Sequence, residues 1–301
     1  MMQIETTHIE DTFAEAFAMW GTRVLVTAAS AEWAQASAQS MTGFATSVIG
    51  CKCEAGIERE LSPADTPDGR PGISILLFAM DKASLGKRLV ERIGQCVMTC
   101  PTTACFSGLE SEYGASVGGK LRYFGDGYQI SKKLADERMW RVPVMDGEFL
   151  VQDRFGIQPA VGGGNLILCG KSAAVTVAAA GDAVAAMRRI ADIALPFPGG
   201  VVRSGSKVGS RYKSLPASTN HAYCPTLKAV VADSSLGADI NCVLEIVIDG
   251  LTEAAVRAAM RVGMSAAARP GLPAISAGNY GGKLGQFQIR LHSLLDGGVA
   301  E

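Results

Sequence analysis

The sequence predicts an α+β fold of two ferredoxin-like lobes, each a split β-α-β unit, joined by a hairpin-rich connecting region. Three observations lead to this prediction. The order strand, helix, strand, strand, helix occurs twice, and glycine-punctuated short strands separate the two occurrences. No strand is followed by the G-x-G-x-x-G pattern of a dinucleotide-binding fold. A chain of 301 residues is also long enough to form two hydrophobic cores.

The first occurrence lies in the N-terminal third of the chain. Its predicted elements are a strand over 22–30, a helix over 31–41, a strand over 43–50, a loop over 52–72, a strand over 73–80 and a helix over 82–100. The last helix carries Leu85, Leu89, Ile93 and Val97 at helical spacing. Its apolar stripe therefore indicates packing against a sheet.

The second occurrence follows Gly162 with the same order. Its predicted elements are a strand over 165–170, a helix over 172–191, a strand over 199–209, a polar loop, a strand over 242–250, a helix over 252–268 and further strands over 274–280 and 286–295. We therefore predict an N-terminal lobe over 1–161, which includes the connecting region of about 113–161, and a C-terminal lobe over 162–301.

Composition and charge restrict the class of partner. The formal net charge is -1, whereas a general nucleic-acid or membrane-surface binder would carry a basic excess. The first residues lack a basic segment followed by an apolar one, so no targeting signal is predicted. The longest apolar region is too short to span a bilayer. We expect a cytoplasmic protein that binds neither nucleic acid nor membranes and that forms oligomers through an open sheet face.

The cysteines do not indicate a metal site. Eight are present, but they form no C-x-x-C pair and have no companion histidine pair, so we predict reduced thiols and no bound metal. Cys224 lies three residues from His221. Sequence proximity does not establish an oriented base or a lowered thiol pKa, so a packed thiol is favoured over a nucleophile.

Residues 204–226 form a long polar segment, SGSKVGSRYKSLPASTNHAYCPT, inside an apolar half of the chain. Its glycines permit close backbone approach to a ligand, and Lys207, Arg211 and Lys213 supply cationic donors. An anionic or amide-rich ligand is one interpretation, and a solvated hairpin with surface lysines is the other. The segment contains no phosphate-binding P-loop motif.

Glu245 is the candidate for acid-base chemistry. Alternation along the strand predicts Leu244, Ile246 and Ile248 on one face and Glu245 between two valines on the other. If the aliphatic face meets the helices, a covering lobe or subunit would bury the carboxyl and raise its pKa, as at many active sites. An exposed glutamate on the strand face is the alternative.

The segment ISAGNYGGKLGQ near the C-terminus concentrates glycines around Asn279, Tyr280, Lys283 and Gln286. Such a set can hold a heterocycle edge or a carboxylate, although a tight glycine turn explains it nearly as well. Arg261 on the preceding helix would add a cation.

Several segments together resemble one enzyme family. IEDTFAEAF, LVTAAS, TGFATSVI, TPDGRPG, RIGQCVMTCPT, YFGDGYQ, LPASTNHAYCPT, EIVIDGL and ISAGNYGGKLGQ occur in order between Ile9 and about Leu295. They closely resemble the formylmethanofuran:tetrahydromethanopterin formyltransferases, and the resemblance covers nearly the whole chain. It implies a soluble homotetramer with two related α/β lobes and no tightly bound cofactor, whose substrates are the one-carbon carriers methanofuran and tetrahydromethanopterin.

The resemblance also implies roles for individual residues. The proposed catalytic acid of the family falls on Glu245, which would stabilise an oxyanion and relay a proton in a ternary complex. The expected substrate-binding residues are Gln95, Thr99, Asp126, Tyr128, Ser206, Lys207, Arg211, Ser218, Thr219, Asn220, Arg261, Asn279, Lys283 and Gln286.

The composition favours a mesophilic setting. Only 19% of the residues are charged, and the chain holds 8 Cys and 11 Met. The resemblance then suggests a methylotroph, in which transfer runs toward methanofuran during formaldehyde oxidation, beside hydrolase subunits of a formyltransferase/hydrolase complex. The alternative is a non-catalytic scaffold subunit of such a complex.

Overall fold

The computed structural model describes residues 2–134 and 136–296. In these ranges the strands are β1 Gln3–Ile4, β2 Thr7–Ile9, β3 Phe13–Thr27, β4 Glu54–Leu61, β5 Gly72–Ala79, β6 Ala104–Ser107, β7 Gly114–Ser116, β8 Ile130–Leu134, β9 Glu137–Val144, β10 Gly147–Gln152, β11 Arg154–Gly156, β12 Gln158–Gly170, β13 Ile193–Ala194, β14 Lys207–Val208, β15 Ala217–Ser218, β16 Cys242–Gly250, β17 Ala274–Ser276 and β18 Phe287–Arg290. The helices are α1 Ala31–Thr42, α2 Val48–Cys51, α3 Lys82–Arg92, α4 Gly118–Leu121, α5 Ala173–Met187, α6 Glu253–Ala267 and α7 Leu291–Leu295. None of these helices has the length and apolarity needed to cross a membrane.

The first lobe is a split β-α-β unit. Its elements run β3, α1, β4, β5, α3, β6, and its strands lie in the order β6-β3-β5-β4, all antiparallel. The long helices start at side-chain caps, because Ser30 and Asp81 accept hydrogen bonds from the first-turn amides of α1 and α3. The apolar faces of both helices pack on one face of this sheet.

The second lobe repeats the arrangement. Its elements run β12, α5, β13, β16, α6, β17, and its strands lie in the order β17-β12-β16-β13, again antiparallel. Ser172 and Thr252 cap α5 and α6. The predicted α+β fold of two lobes is therefore confirmed, including the twofold repeat of its element order.

Hairpins form most of the connecting region, as predicted. β8 pairs with β9, and β9 with β10, both antiparallel, whereas β10 joins the first lobe by parallel pairing with β6. Fourteen strands thereby belong to one branched sheet.

Two predicted strands are wrong. Residues 43–50 form a turn and the start of α2, whereas the strand is β4, which lies in the predicted loop. Residues 199–209 contribute only an isolated bridge from Val202 to Glu245 and the two-residue β14. The second strand of the C-terminal unit is instead the short β13. The C-terminal stretch 286–295 is a strand only as far as Arg290 and then becomes α7.

Two long strands belong to both lobes. The first residues of β3 pair with β18 of the second lobe, and its last eight pair with β5 of the first. β12 pairs with β3 at its start and with β16 and β17 at its end, with an irregularity between Val161 and Gly164. Ile9, Ala14 and Ala16 consequently pack in the second hydrophobic core. The predicted division into lobes at residue 161 therefore stays a prediction, because β3 and β12 contribute to both lobes.

Strand β4 holds the lobes together through an ion pair. Arg23 Nε donates to Glu58 Oε2 at 2.8 Å, and a guanidinium nitrogen of Arg23 also contacts Asp192 of the second lobe. Glu58 further accepts bonds from Ser74 Oγ at 2.6 Å and from the Asp192 amide at 2.8 Å. Gly56 allows close approach here, because a Cβ at this position would lie 3.0 Å from Ala194 Cβ.

The same strand places Glu54 beside Asp249, and both carboxyls are buried. Glu54 Oε1 accepts the Val48 amide at 2.9 Å, and Asp249 Oδ1 accepts the Gly163 amide at 3.0 Å, whereas Asp249 Oδ2 has no hydrogen-bond partner. Burial raises the pKa of both groups, and the charge of Glu54 raises the pKa of Asp249 further. The pair therefore retains a proton at a pH where isolated carboxyls have lost theirs.

This pair predicts a pH dependence of stability. The folded-state pKa of Asp249 lies above its unfolded value, so the free energy of unfolding should fall as pH rises from about 4, the unfolded pKa, toward the folded pKa. Asp249→Asn retains an acceptor for the Gly163 amide but does not titrate. We therefore expect its free energy of unfolding to fall less steeply with pH than that of the wild type. Urea unfolding at several pH values measures this. Asp239→Asn, at an exposed pair with Lys171, is the control, and equal slopes in wild type and Asp249→Asn would contradict the interpretation.

Candidate active site

The strand β16 positions Glu245 by its register. Glu245 lies opposite Ile167 of β12, and its backbone bonds both ways to Val202, at 2.7 and 2.9 Å. Ile246 and Ile248 are buried in the core that α5 and α6 form with the sheet. Alternation therefore directs Glu245 to the face opposite the helices, as the sequence predicted.

The Glu245 carboxyl is enclosed by protein but remains partly accessible to solvent. Burial raises its pKa to about 7. Within the described residues, no protein group donates a hydrogen bond to it. Near neutral pH this carboxyl therefore holds a proton far more often than an exposed glutamate does, and it is free to bond to a ligand, either as donor or as acceptor.

A row of side chains continues from Glu245 across the sheet. Ile167 lies opposite Glu245 on one side and opposite Ser276 on the other, so the three side chains share a face. Ser276 Oγ donates to Glu10 and lies 3.1 Å from Tyr223 Oη. Burial raises the pKa of Tyr223, so its phenol stays protonated.

The polar segment covers part of this face. It forms a small hairpin of β14 and β15 with Lys207 opposite Ser218, and Ser218 Oγ closes the hairpin by donating to Gly209 O at 2.7 Å. Tyr223 packs on Ile167 and Cys169. The face that the sequence predicted to be covered by a lobe or subunit is thus covered in part by a loop of the same chain.

His221 and Cys224 do not form a nucleophile and base pair. His221 Nε2 bonds to the Asp233 carboxylate at 2.8 Å, and the Cys224 thiol donates to Asn220 O at 3.3 Å and contacts Thr219 Oγ1 at 3.3 Å. The hydrogen bond from His221 lowers the pKa of Asp233, and the charge of Lys207 lowers it further. These contacts stabilise the segment itself.

The glycine-rich segment near the C-terminus reaches the sheet face of Glu245 through Gly278, which donates to Asn165 opposite Val247 of β16. Burial raises the pKa of Tyr280, and so do the charges of Glu245 and Glu15. Two predicted ligand-binding amides bond to β3 instead of remaining free. Asn279 Nδ2 donates to Phe13 O at 3.2 Å, and Gln286 Oε1 accepts the Ala18 amide at 2.8 Å. Lys283 is exposed.

Comparison with known proteins identifies the family. Residues 2–144 match the model of the formylmethanofuran-tetrahydromethanopterin formyltransferase family, and residues 147–294 match the model of its proximal lobe. The chain belongs to this formyltransferase family. The family resemblance of the sequence motifs is thereby confirmed, and the family is one of transferases.

Similar proteins cover the whole length. The formylmethanofuran--tetrahydromethanopterin formyltransferase of Methylococcus capsulatus is 57% identical over 298 residues, which are 98% of this chain and 100% of the relative. A chain of the formyltransferase/hydrolase complex of Methylorubrum extorquens, solved with methylofuran, is 52% identical with a TM-score of 0.95, and the match covers 98% of each chain. The Methanosarcina barkeri formyltransferase is 47% identical with a TM-score of 0.92, covering 97% of this chain and 100% of that one.

Several predicted substrate-binding residues of this formyltransferase lie away from Glu245. Gln95 and Thr99 lie at the π-helical turn Ile93–Val97 of the first lobe and line a cavity of about 800 Å³. Asp126 and Tyr128 form a turn before β8, and Tyr128 is 79% exposed. β8 pairs with β9, and four strands separate β9 from β16 in the sheet, namely β12, β3, β6 and β10. The turn before β8 is therefore far from Glu245 on β16.

Arg261 is also remote from Glu245. It is an exposed residue of α6, a helix that packs on the opposite face of the sheet. Within one chain, the residues around Glu245 therefore come from β12 and β17, the polar segment and the C-terminal glycine-rich segment.

Two residues at the site were not among the predicted ones. Tyr280 lies inside the segment ISAGNYGGKLGQ, in which substrate-binding roles are predicted for Asn279, Lys283 and Gln286 only. Glu15 is the single charged residue in the apolar run FAEAFAMW, which is a signal for a buried carboxylate with a specific partner.

Proposed function

We propose that this chain transfers a formyl group between the primary amine of methanofuran and N5 of tetrahydromethanopterin. The single observation that carries this proposal is the Glu245 carboxyl, which has a pKa of about 7, no protein hydrogen-bond donor among the described residues and partial access to solvent. Family membership supports the choice of carriers.

The chemistry requires two nitrogen atoms and one carbonyl carbon. The acceptor nitrogen attacks the formamide carbon, a C–N bond forms and the carbonyl oxygen becomes an oxyanion. Protonated Glu245 donates a hydrogen bond to this oxyanion. As the C–N bond to the donor nitrogen breaks, a proton moves from the acceptor nitrogen to the leaving nitrogen, and Glu245 relays it. No covalent enzyme intermediate is needed if both carriers bind together in a ternary complex.

We further propose a physiological setting. The relative from Methylorubrum extorquens is part of a formyltransferase/hydrolase complex, which supports hydrolase subunits as partners. The similarity to that relative and the low charged fraction of 19% together favour transfer toward methanofuran during formaldehyde oxidation in a methylotroph. A cytoplasmic homotetramer without a tightly bound cofactor remains part of this proposal, as do the substrate-binding roles of Gln95, Thr99, Asp126 and Tyr128.

A transfer assay with the purified chain tests the proposed function. Consumption of formyl-tetrahydromethanopterin is followed spectrophotometrically with and without methanofuran. We expect consumption that depends on methanofuran. A folded chain without any transfer would favour the alternative, a non-catalytic scaffold subunit of such a complex.

Three cationic side chains predict a salt dependence of carrier binding, of which Arg211 and Lys283 are exposed and Lys207 is half-buried. Lys207, Arg211 and Lys283 are proposed to contact the anionic tails of the carriers, so KM should rise between about 0.1 M and 1 M salt, as the screening length falls from about 10 Å to about 3 Å. Lys283→Ala should raise KM, leave kcat unchanged and flatten the salt dependence. Lys87→Ala, an exposed lysine of α3, is the matched control. Michaelis constants independent of salt would contradict these roles.

A further inference from the structure

Glu15 is a buried carboxylate that holds the C-terminal glycine-rich segment. It lies in β3 and is 1% exposed. Its Oε2 accepts the amides of Tyr280 and Gly282 at 2.6 and 2.9 Å, and its Oε1 accepts the amides of Leu284 and Gly285 at 2.6 Å each. None of the described lysine, arginine or histidine side chains forms an ion pair with it.

The loop 280–285 is wound around this carboxylate. Gly281 and Gly282 have φ values of 71° and 72°, and this left-handed backbone turns successive amides toward one point. Burial by itself would raise the pKa of Glu15, but the four amide donors lower it. The side chain therefore remains ionised. Its carboxylate occupies the position at which a loop of this kind binds an anionic ligand in other proteins.

The fixed loop places Tyr280 at the site. Its ring lies 6.2 Å from the Phe17 ring, and burial raises the pKa of its phenol, as do the charges of Glu245 and Glu15. Asn165 lies opposite Val247, on the sheet face that Glu245 shares. It holds Gly278, two residues before Tyr280, because Gly278 N donates to Asn165 Oδ1 at 2.6 Å and Asn165 Nδ2 donates to Gly278 O at 3.2 Å. Within the loop, Glu15 engages four of the amides, and the Gly281 amide donates to Asn279 Oδ1 at 3.1 Å.

We propose that Glu15 is a positioning residue for formyl transfer, because its four hydrogen bonds set the loop 280–285 so that the Tyr280 hydroxyl faces the reacting centre beside Glu245. This inference rests on the proposed function. It makes Tyr280 the group through which Glu15 acts, and it explains why a charged residue stands inside an apolar strand. In Glu15→Gln, the amide nitrogen would meet two backbone donors and could accept from neither.

The test is a double-mutant cycle on kcat/KM of the full chain with both carriers. We expect Glu15→Gln to lower kcat/KM by about 100-fold, the effect of displacing a positioned group by about 1 Å. In a Tyr280→Phe background, the same change should have a much smaller effect, because its target is already lost. The exposed Glu60→Gln is the control for removal of one negative charge.

Hydrogen exchange provides a readout that does not depend on activity. Glu15→Gln should increase amide exchange in 280–285 and leave the cores unchanged. If Glu15→Gln lowers kcat/KM equally in the wild-type and Tyr280→Phe backgrounds, the variant acts by general destabilisation and the positioning role is overturned. A kcat/KM near the wild-type value in Glu15→Gln would also overturn it. A wild-type chain that transfers no formyl group would instead refute the proposed function, while increased exchange in 280–285 would still identify Glu15 as the residue that holds the loop.

Discussion

Glu245→Gln is expected to lower kcat by about 10²- to 10⁴-fold, the range that loss of a general acid-base group produces. Glutamine has nearly the same shape, and its amide can still donate one hydrogen bond to an oxyanion. It cannot give up or take a proton at neutral pH. The variant therefore separates proton transfer from simple hydrogen bonding, and Glu245→Ala, which loses both, should be slower still.

The pH profile gives the same prediction a second readout. Burial raises the pKa of Glu245 to about 7, so the protonated form prevails below this pH and is lost above it. If the acid form is required, wild-type kcat/KM should decline as pH rises through about 7, and Glu245→Gln should lack this decline. Glu253→Gln, on α6 across the sheet, is the matched control and should keep both rate and profile. Near-normal turnover in Glu245→Gln would refute the catalytic assignment.

Arg23→Leu is expected to lower the free energy of unfolding by about 3–5 kcal/mol, the usual effect of leaving one member of a buried ion pair without its partner. The Glu58 side chain is 2% exposed, and Arg23 is its counter-ion at 2.8 Å. Chemical denaturation measures the change. The double variant Arg23→Leu with Glu58→Gln should recover part of the lost free energy of unfolding, because the buried position 58 no longer carries an unpaired charge, whereas Asp192 is 41% exposed.

Arg88→Leu provides the control for this experiment. Arg88 pairs with Glu91 on α3, where the side chains are 22% and 44% exposed, and ion pairs open to solvent contribute only about 0–1 kcal/mol. If Arg23→Leu lowers the free energy of unfolding as little as Arg88→Leu does, the contact between the lobes does not depend on the Arg23–Glu58 ion pair.

The fold was predictable where strands are apolar and helices are amphipathic. The strand β5 and the helices α1, α3, α5 and α6 follow directly from local pattern. The strand β4 could not be found in this way, because its Glu54 and Glu58 are buried by partners that lie far away in the sequence. Charges at 54, 58, 59 and 60 made the strand look like a loop. Only tertiary contacts explain the burial of these residues.

The site was predictable to a similar degree. Alternation in an apolar strand was enough to place Glu245 on the open face. The sequence of the glycine-rich segment was compatible with a heterocycle edge, a carboxylate or a tight glycine turn, and it could not reveal that the carboxylate of Glu15, about 270 residues earlier in the chain, lies there. For the same reason Asn279 and Gln286 looked available for ligands, although β3 engages their side-chain amides.

The shared strands β3 and β12 limit how the protein can admit two large carriers. A hinge between the lobes would have to break ladder hydrogen bonds of both strands, because each strand pairs with strands of both lobes. Such ladders belong to the most stable parts of a protein. Entry and exit of the carriers must therefore depend on segments outside the ladders, and the polar segment 204–226, held by two-residue strands and short turns, is the part over Glu245 that can open at low energetic cost.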